Sequence, residues 1–306
     1  MTDNILLPIT LSIADYNIDF GLISVVLFVI IFVSSIYQSL IKRVETFEIF
    51  DFGFKTILIM VLIARLLAVI NNPNYYLADL SQILNFQDGK FFYPGLILGL
   101  ILSVFFMSSS LAKKVGYMKL LDIAIRAYAY SAVWLLLGFF LSARSLGVQF
   151  EGAIGVKYLD GGLRFPSSLI QAIYTLVGII ILTVWPNIKT KSGITAAIFV
   201  MLYSALEFIL RFFSNGYDPV ILGFIDLYQF FYLIFLTFSI LIFIRINQIL
   251  KLDAQEQFME NDLTSVRAKF DVSGFKKERV SAKELFSLSY GSAINNKQDR
   301  PTRAAK

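Results

Sequence analysis

Long apolar runs separated by short polar ones dominate this chain. Seven such runs stand out, at residues 21–42, 52–70, 92–112, 119–143, 166–186, 194–213 and 222–247. A helix rises about 1.5 Å per residue, so each run is long enough to cross roughly 30 Å of hydrocarbon. The pattern predicts an all-α, polytopic integral membrane protein with seven transmembrane helices. The first run is not expected to be a cleavable signal. Its upstream flank, MTDNILLPITLSIADYNIDF, is acidic rather than basic, and the run itself is too long.

Basic residues gather in alternate connections. Lys42 and Arg43 follow the first run, Lys113, Lys114 and Lys119 lie around the third connection, and Lys189 and Lys191 lie in the fifth. The other connections hold Lys90, Arg144, Lys157 and Arg164. By the positive-inside rule the N-terminus is outside and the C-terminus cytoplasmic. Residues 1–247 then form the membrane domain and residues 248–306 a charged cytoplasmic tail. The stretch LDAQEQFMENDLTSVRAKF suits a surface helix, and NNKQDRPTRAAK has the composition of a disordered segment. The tail is expected to be a solvated, topology-fixing segment, with weak contact to anionic lipid as the alternative.

Composition sharpens the picture. The chain of 306 residues is 57% hydrophobic, with 30 Phe, and its mean hydropathy is +0.70. It has no Cys and no His. Disulfides, thiolate metal sites and Cys nucleophiles are therefore excluded, along with the commonest general base and metal ligand. No metal and no nucleic-acid partner are expected. Proton transfer must fall to Asp, Glu, Tyr, Lys or Arg. No internal repeat is visible, which argues mildly against a transporter built from paired halves.

Charged groups inside spans are costly and mark functional candidates. Arg65 lies near the outer end of the second run, and Glu207 and Arg211 in the outer half of the sixth. Asp226 and Gln229 open the seventh run, Arg144 closes the fourth and Tyr93 opens the third. Five segments thus bring polar groups to one depth, which predicts a polar cavity there. Glu207 and Arg211 are four residues apart on one helical face. Either they neutralise each other, or Arg211 receives an anionic group such as a lipid phosphate, a task suited to its planar fork. Asp122 and Arg126 are expected to form an interfacial salt bridge, Lys55 to snorkel, and Gly95-Leu-Ile-Leu-Gly99 to allow close helix packing.

Several stretches in order resemble the prolipoprotein diacylglyceryl transferase family. LLPITLSIADYNIDFGLI resembles that family's opening, a proline-led segment followed by I-R-W-Y-G-L. ARLLAVINNPNYYLADLSQIL resembles A-R-L-x-Y-V-x-x-N-P-x-Y-Y-L, and DGKFFYPGLILG resembles G-G-L-S-F-H-G-G-L-I-G. KLLDIAIRAYAYS resembles the start of the fourth helix. FPSSLIQA resembles H-P-T-Q-L-Y-E-A, Tyr203 to Arg211 lies where the family has Y-x-x-x-R-x-x-x-E-F, and ILGFIDLYQFF resembles G-L-x-x-G-Q. The matches run over residues 5 to about 235.

The departures fall on chemical positions. Tyr93 and Phe165 stand where the family has histidines, and Gln171 where it has Glu. Glu207 and Arg211 reverse its Arg and Glu, and Phe20 replaces a tryptophan–tyrosine pair. The signature G-R-x-G-N-F-x-N-G-E can be laid on LGFFLSARSLG from Gly138, which loses its arginine, or with gaps on RSLGVQFEG, which keeps Arg144, Phe150 and Glu151; the second is preferred because it restores a cation and a carboxylate.

The resemblance implies a multi-pass enzyme of the bacterial inner membrane. It would move a diacylglyceryl group from phosphatidylglycerol to a lipobox cysteine of a secreted lipoprotein precursor. No cofactor beyond the lipid substrate is implied. The implied catalytic residues are Tyr93, Arg144, Glu151, Glu207 and Arg211, with Arg65, Tyr203, Asp226 and Gln229 binding the lipid. The alternatives are a catalytically degenerate relative that binds lipid or a partner through the same cavity, and a transporter. Oligomeric state is left open.

Overall fold

A computed structural model describes residues 8, 10–13, 16–85, 92–107, 109–144, 147–158, 162–184, 191–213 and 224–269. The chain begins with an antiparallel hairpin, β1 (Thr10–Ile13) and β2 (Tyr16–Asp19), in which Thr10 pairs with Asp19 and Ile13 with Tyr16. Nine helices follow among the described residues: α1 (Phe20–Leu40), α2 (Thr46–Asn71), α3 (Pro73–Ala78), α4 (Tyr93–Leu102), α5 (Ser109–Val115), α6 (Tyr117–Leu141), α7 (Ser167–Val184), α8 (Ile194–Leu210) and α9 (Leu227–Lys269). A two-residue ladder, β3 (Val156–Lys157) with β4 (Leu163–Arg164), lies between α6 and α7. The fold is all-α and polytopic. Six helices among the described residues are long and apolar enough to cross a membrane: α1, α2, α6, α7, α8 with its 3₁₀ extension Arg211–Phe213, and the part of α9 from Leu227 to Ile249.

The third predicted span differs. Its apolar helix is shorter, Tyr93–Phe106, and passes from α4 into a π turn at Ser103–Met107 before α5. Ser103 explains the change of pitch. Its hydroxyl is fully buried and lies 2.8 Å from Leu100 O and 3.1 Å from Thr56 Oγ1 on α2. A side chain bonding back to its own helix competes with the regular ladder and widens the turn. The seventh run also differs, because α9 continues through Lys269 rather than ending at 247. Internal contacts divide the chain after Leu250. The predicted disordered end of the tail, and residues 86–91 of the long connection after α3, lie outside the described residues.

The expected close packing at Gly95 and Gly99 is present. A Cβ on either would sit 2.6 Å from a backbone Cα of α2, Ala64 and Met60 respectively. Two other helices meet as tightly, since a Cβ on Gly138 of α6 would lie 2.0 Å from Ser24 Cβ on α1. The core runs between these helices through Phe32, Ile36, Ile97, Leu100, Ile125 and Phe199. Outward faces stay apolar, as on α2 at Leu58, Leu62 and Leu66, and a hydrocarbon surround makes that arrangement stable.

One buried charge stands differently from the sequence expectation. Asp122 does not pair with Arg126. Its carboxylate accepts from Gly193 N (2.6 Å) and Ala196 N (2.8 Å), so it caps α8 from a neighbouring helix, while Arg126 Nε donates to the Asp122 carbonyl. A helix start inside a bundle leaves N–H groups that need partners, and that need outweighs the local i,i+4 pairing. Lys55 pairs at the surface with Asp51 at 2.7 Å.

Candidate active site

Contacts bring seven helix termini to one end of the bundle. The starts of α1, α4, α7 and α9 and the ends of α2, α6 and α8 meet there. The meeting points are Asp19 with Arg144, Phe92 N with Ala64 O, Phe92 with the Tyr228 ring at 4.2 Å, and Gln171 with Glu207. Every predicted site residue except Glu151 lies on or beside these termini.

Glu207 is buried and accepts hydrogen bonds from two helix-α7 side chains, Gln171 Nε2 at 2.9 Å and the Tyr174 hydroxyl. Around it, Tyr203 packs edge-on against Tyr128, Tyr174 and Tyr232, and stacks on Phe199 at 5.6 Å. The carboxylate thus meets a cage of tyrosines through Tyr174, with Tyr203 at the cage's centre. Among the described residues it forms no ion pair, so the proposed neutralisation by Arg211 does not occur.

Arg211 instead turns to Asp226, with Nε 2.5 Å from Oδ2, and its guanidinium lies 4.0 Å above the Tyr228 ring. Asp226 and Gln229 form a capping box. Asp226 Oδ1 accepts from Gln229 N at 2.7 Å, and Asp226 N donates to Gln229 Oε1 at 3.0 Å. The buried Gln229 also reaches the Phe208 carbonyl. These two residues, expected to bind lipid, start α9 and hold Arg211.

Arg144 follows the end of α6, preceded by Ala143 in the left-handed region (φ 54°). Its Nε and Nη2 both reach Asp19 Oδ2, at 3.0 and 2.5 Å. Tyr93, half-buried at the first position of α4, faces Phe139 of α6 at 6.3 Å and so stands at the same end as Arg144.

Two assignments, Arg65 and Glu151, are corrected, and Phe165 shows what replaces a histidine. Arg65 is buried, and its guanidinium is spent on peptide carbonyls: Nε donates to Ile83 O at 3.0 Å and Nη2 to Gln82 O and to Asn85 O at 2.7 Å. It closes the 3₁₀ turn Leu80–Ile83, whose start is capped by Asp79. Glu151 is exposed in the 147–158 loop, apart from the other groups. Phe165, at a histidine position, is a buried wedge between Phe150 and Phe213, at 5.7 and 5.0 Å, and offers no proton chemistry. The sequence reasoning passed over Asp19, Tyr128, Tyr174 and Tyr232. A cavity of about 110 Å³ lies away from this end. It is apolar, lined by residues such as Phe105, Met118, Ala197, Phe235 and Phe238, with Gly193 at its wall.

A family model described as prolipoprotein diacylglyceryl transferase matches residues 4–245. The chain belongs to the prolipoprotein diacylglyceryl transferase family. It is 25% identical over 221 residues to a phosphatidylglycerol–prolipoprotein diacylglyceryl transferase of Clostridium novyi, covering 69% of this chain and 84% of that one. A Listeria innocua protein of the same description is 23% identical over 221 residues, covering 68% and 78%. A Helicobacter pylori relative is 27% identical over 161 residues, covering 47% of this chain and 56% of its own length. Family membership and the apolar helices together make this a multi-pass transferase-family protein of the bacterial inner membrane.

Proposed function

We propose that this chain transfers the diacylglyceryl group of phosphatidylglycerol to the cysteine thiol of a lipoprotein precursor. The gathering of Glu207, Arg211 and Arg144 at one end of the bundle carries the reading, because the reaction needs a base beside cations. A sulfur–carbon bond forms at the glyceryl carbon as its carbon–oxygen bond to phosphate breaks. The thiol proton passes to a base, and glycerol phosphate leaves. Glu207 is the base, held ready by Gln171 and Tyr174. Arg144 and Arg211 counter the charge developing on the phosphate, since fixed cations in a water-poor site lower the barrier by several kcal/mol. Tyr93, at the start of α4, is given the role of orienting the reacting groups. Tyr203, Asp226, Gln229 and Arg65 shape the site through packing and caps, and Glu151 has no part in it. Phosphatidylglycerol is a substrate, and no further cofactor enters.

The topology of this reading has α4 and its π turn as a short seventh membrane element, the N-terminus outside, and residues 248–306 as a cytoplasmic tail. A precursor emerging from secretion then meets the site at the outer leaflet.

Lipid binding without transfer is the second reading. Phe165, packed as a wedge where relatives of this family resemble H-P-T-Q, favours it. The test mixes purified protein with phosphatidylglycerol and a peptide carrying one lipobox cysteine, and reads the peptide mass. Transfer predicts a diacylglyceryl mass gain that is lost in Arg211→Ala of normal fold. No gain, with phosphatidylglycerol still bound, selects the second reading.

A further inference from the structure

The two arginines at the site end already face carboxylates, and the two pairs are built differently. Arg211–Asp226 is enclosed, with side chains only 17% and 15% exposed. Asp226 is fixed from both sides by the capping box of α9, and Arg211 rests on Tyr228. Arg144–Asp19 is open, at 34% and 37%. Both guanidinium contacts fall on one oxygen, Asp19 Oδ2, because the other oxygen accepts from Gly21 N at 2.9 Å as the cap of α1. The fork of Arg144 is thus matched to a single atom, whereas a phosphodiester presents two oxygens at the spacing that guanidinium prefers.

Arg144 and Arg211 each already hold a carboxylate, while Arg65 is engaged by peptide carbonyls. Among the described residues, an anionic headgroup reaches the fork of either paired arginine by displacing its carboxylate, and Asp19 is the one that can yield. We infer that Asp19 is the exchangeable counter-ion of Arg144 and sets the affinity of this site for an anionic lipid phosphate. The inference rests on the transferase reading for its choice of ligand. It adds that phosphate binding is an anion exchange at Arg144, with Asp19 as the specificity-determining residue.

Asp19→Asn is the clean perturbation. Asn caps a helix as well as Asp does, so α1 keeps its cap while the competing charge disappears. Asp19→Ser, which also caps, is the second variant should the first fold poorly. Full-length protein in phosphatidylcholine nanodiscs is titrated with fluorescent phosphatidylglycerol, and in parallel with inorganic phosphate. An ion pair of this exposure competes with the ligand at a level worth about fivefold in affinity. Phosphatidylglycerol is therefore expected to bind Asp19→Asn about fivefold more tightly, and the gain should vanish when Arg144→Ala is added. Unchanged or weaker binding in both cap-preserving variants overturns the inference, as does a gain that survives Arg144→Ala. A gain for inorganic phosphate without one for the lipid overturns the lipid assignment. Tighter lipid binding with no product on a lipobox peptide supports the exchange and refutes the transferase reading. Product formation with unaltered lipid affinity does the reverse.

Discussion

Replacing Glu207 by Gln separates a carboxylate that takes a proton from one that merely ties α7 to α8. The change is isosteric, and the Gln171 amide can turn over to present its oxygen to the new amide. Both hydrogen bonds to position 207 then survive as neutral ones. Hydrogen bonds to a charged group are worth about twice as much as neutral ones, so the pair loses about 2 kcal/mol, but the amide also escapes the cost of burying a charge, which is of similar size. The two effects oppose each other, so the apparent melting temperature should fall by a few degrees at most. The effect on turnover is of another order. Loss of a general base costs about 10²–10⁴-fold, or at least roughly 2.7 kcal/mol in the barrier. The assay is the initial rate of peptide lipidation per folded molecule, with thermal unfolding in detergent measured on the same preparation. A variant that melts a few degrees lower and still works at more than about a tenth of the parent rate would remove Glu207 from the proton transfer. Glu207→Leu is the contrast. It leaves the Tyr174 hydroxyl and the Gln171 amide facing no acceptor at this position, at about 1–3 kcal/mol each, and should fold markedly less well than Glu207→Gln.

Other substitutions test the frame. Gly99→Ala should destabilise by about 1–3 kcal/mol, because its Cβ meets the Met60 backbone at 2.6 Å. Gly178→Ala, whose Cβ finds Phe199 at 3.9 Å, should be neutral or stabilising, and paired melting curves decide. Asp122→Ala should cost about 2 kcal/mol more than Asp122→Asn, since only alanine removes every acceptor from the α8 start; chemical unfolding of both variants measures it. Exposed Asp79 is held below its ordinary carboxyl value, first by the Ser81 hydroxyl and then by Gln82. Its cap on the Leu80–Ile83 turn is therefore complete above that ordinary value and is lost as pH falls through the lowered one. Limited proteolysis of this turn should rise in that acid window in the parent and be insensitive to pH in Asp79→Asn.

Hydropathy made the helices legible because burying apolar surface in lipid needs only length and composition. It did not show the π turn in the third run, where Ser103 meets Thr56 across 47 residues of sequence. Depth placed Tyr93, Arg144, Glu207 and Arg211 at one end correctly, and the antiparallel order of the spans is enough for that. Partner choice was not legible. Asp122 reaches a helix start 71 residues away, and Arg144 reaches back 125 residues to Asp19. One partner had a local signature that went unused: Asp226-Leu-Tyr-Gln229 has the spacing of a capping box, yet its depth suggested a ligand group instead. The tyrosine cage escaped notice because Tyr128, Tyr174 and Tyr232 count as apolar in a hydropathy pattern, and only their meeting around Glu207 gives the hydroxyls a purpose.

The departures from the family pattern are best understood as one change rather than three. Gln171 stands where the resembling motif has Glu, Glu207 where it has Arg, and Arg211 where it has Glu. In this structure the first two touch, at 2.9 Å. An acid kept at position 171 beside an acid at 207 would bury two like charges in contact, which the interior does not tolerate without a partner cation. The amide at 171 removes that conflict and donates to the carboxylate. With the acid at 207 bonded to α7, the cation one turn further on pairs with Asp226 at the start of α9. Over these three positions the resembling motifs sum to one negative charge and this chain to zero. The rearrangement therefore leaves the site no less attractive to an anion, while the acid now stands at 207 on α8 in place of positions 171 and 211. That is the arrangement a chain without histidine needs if it is to keep both a base and two cations at one end of its bundle.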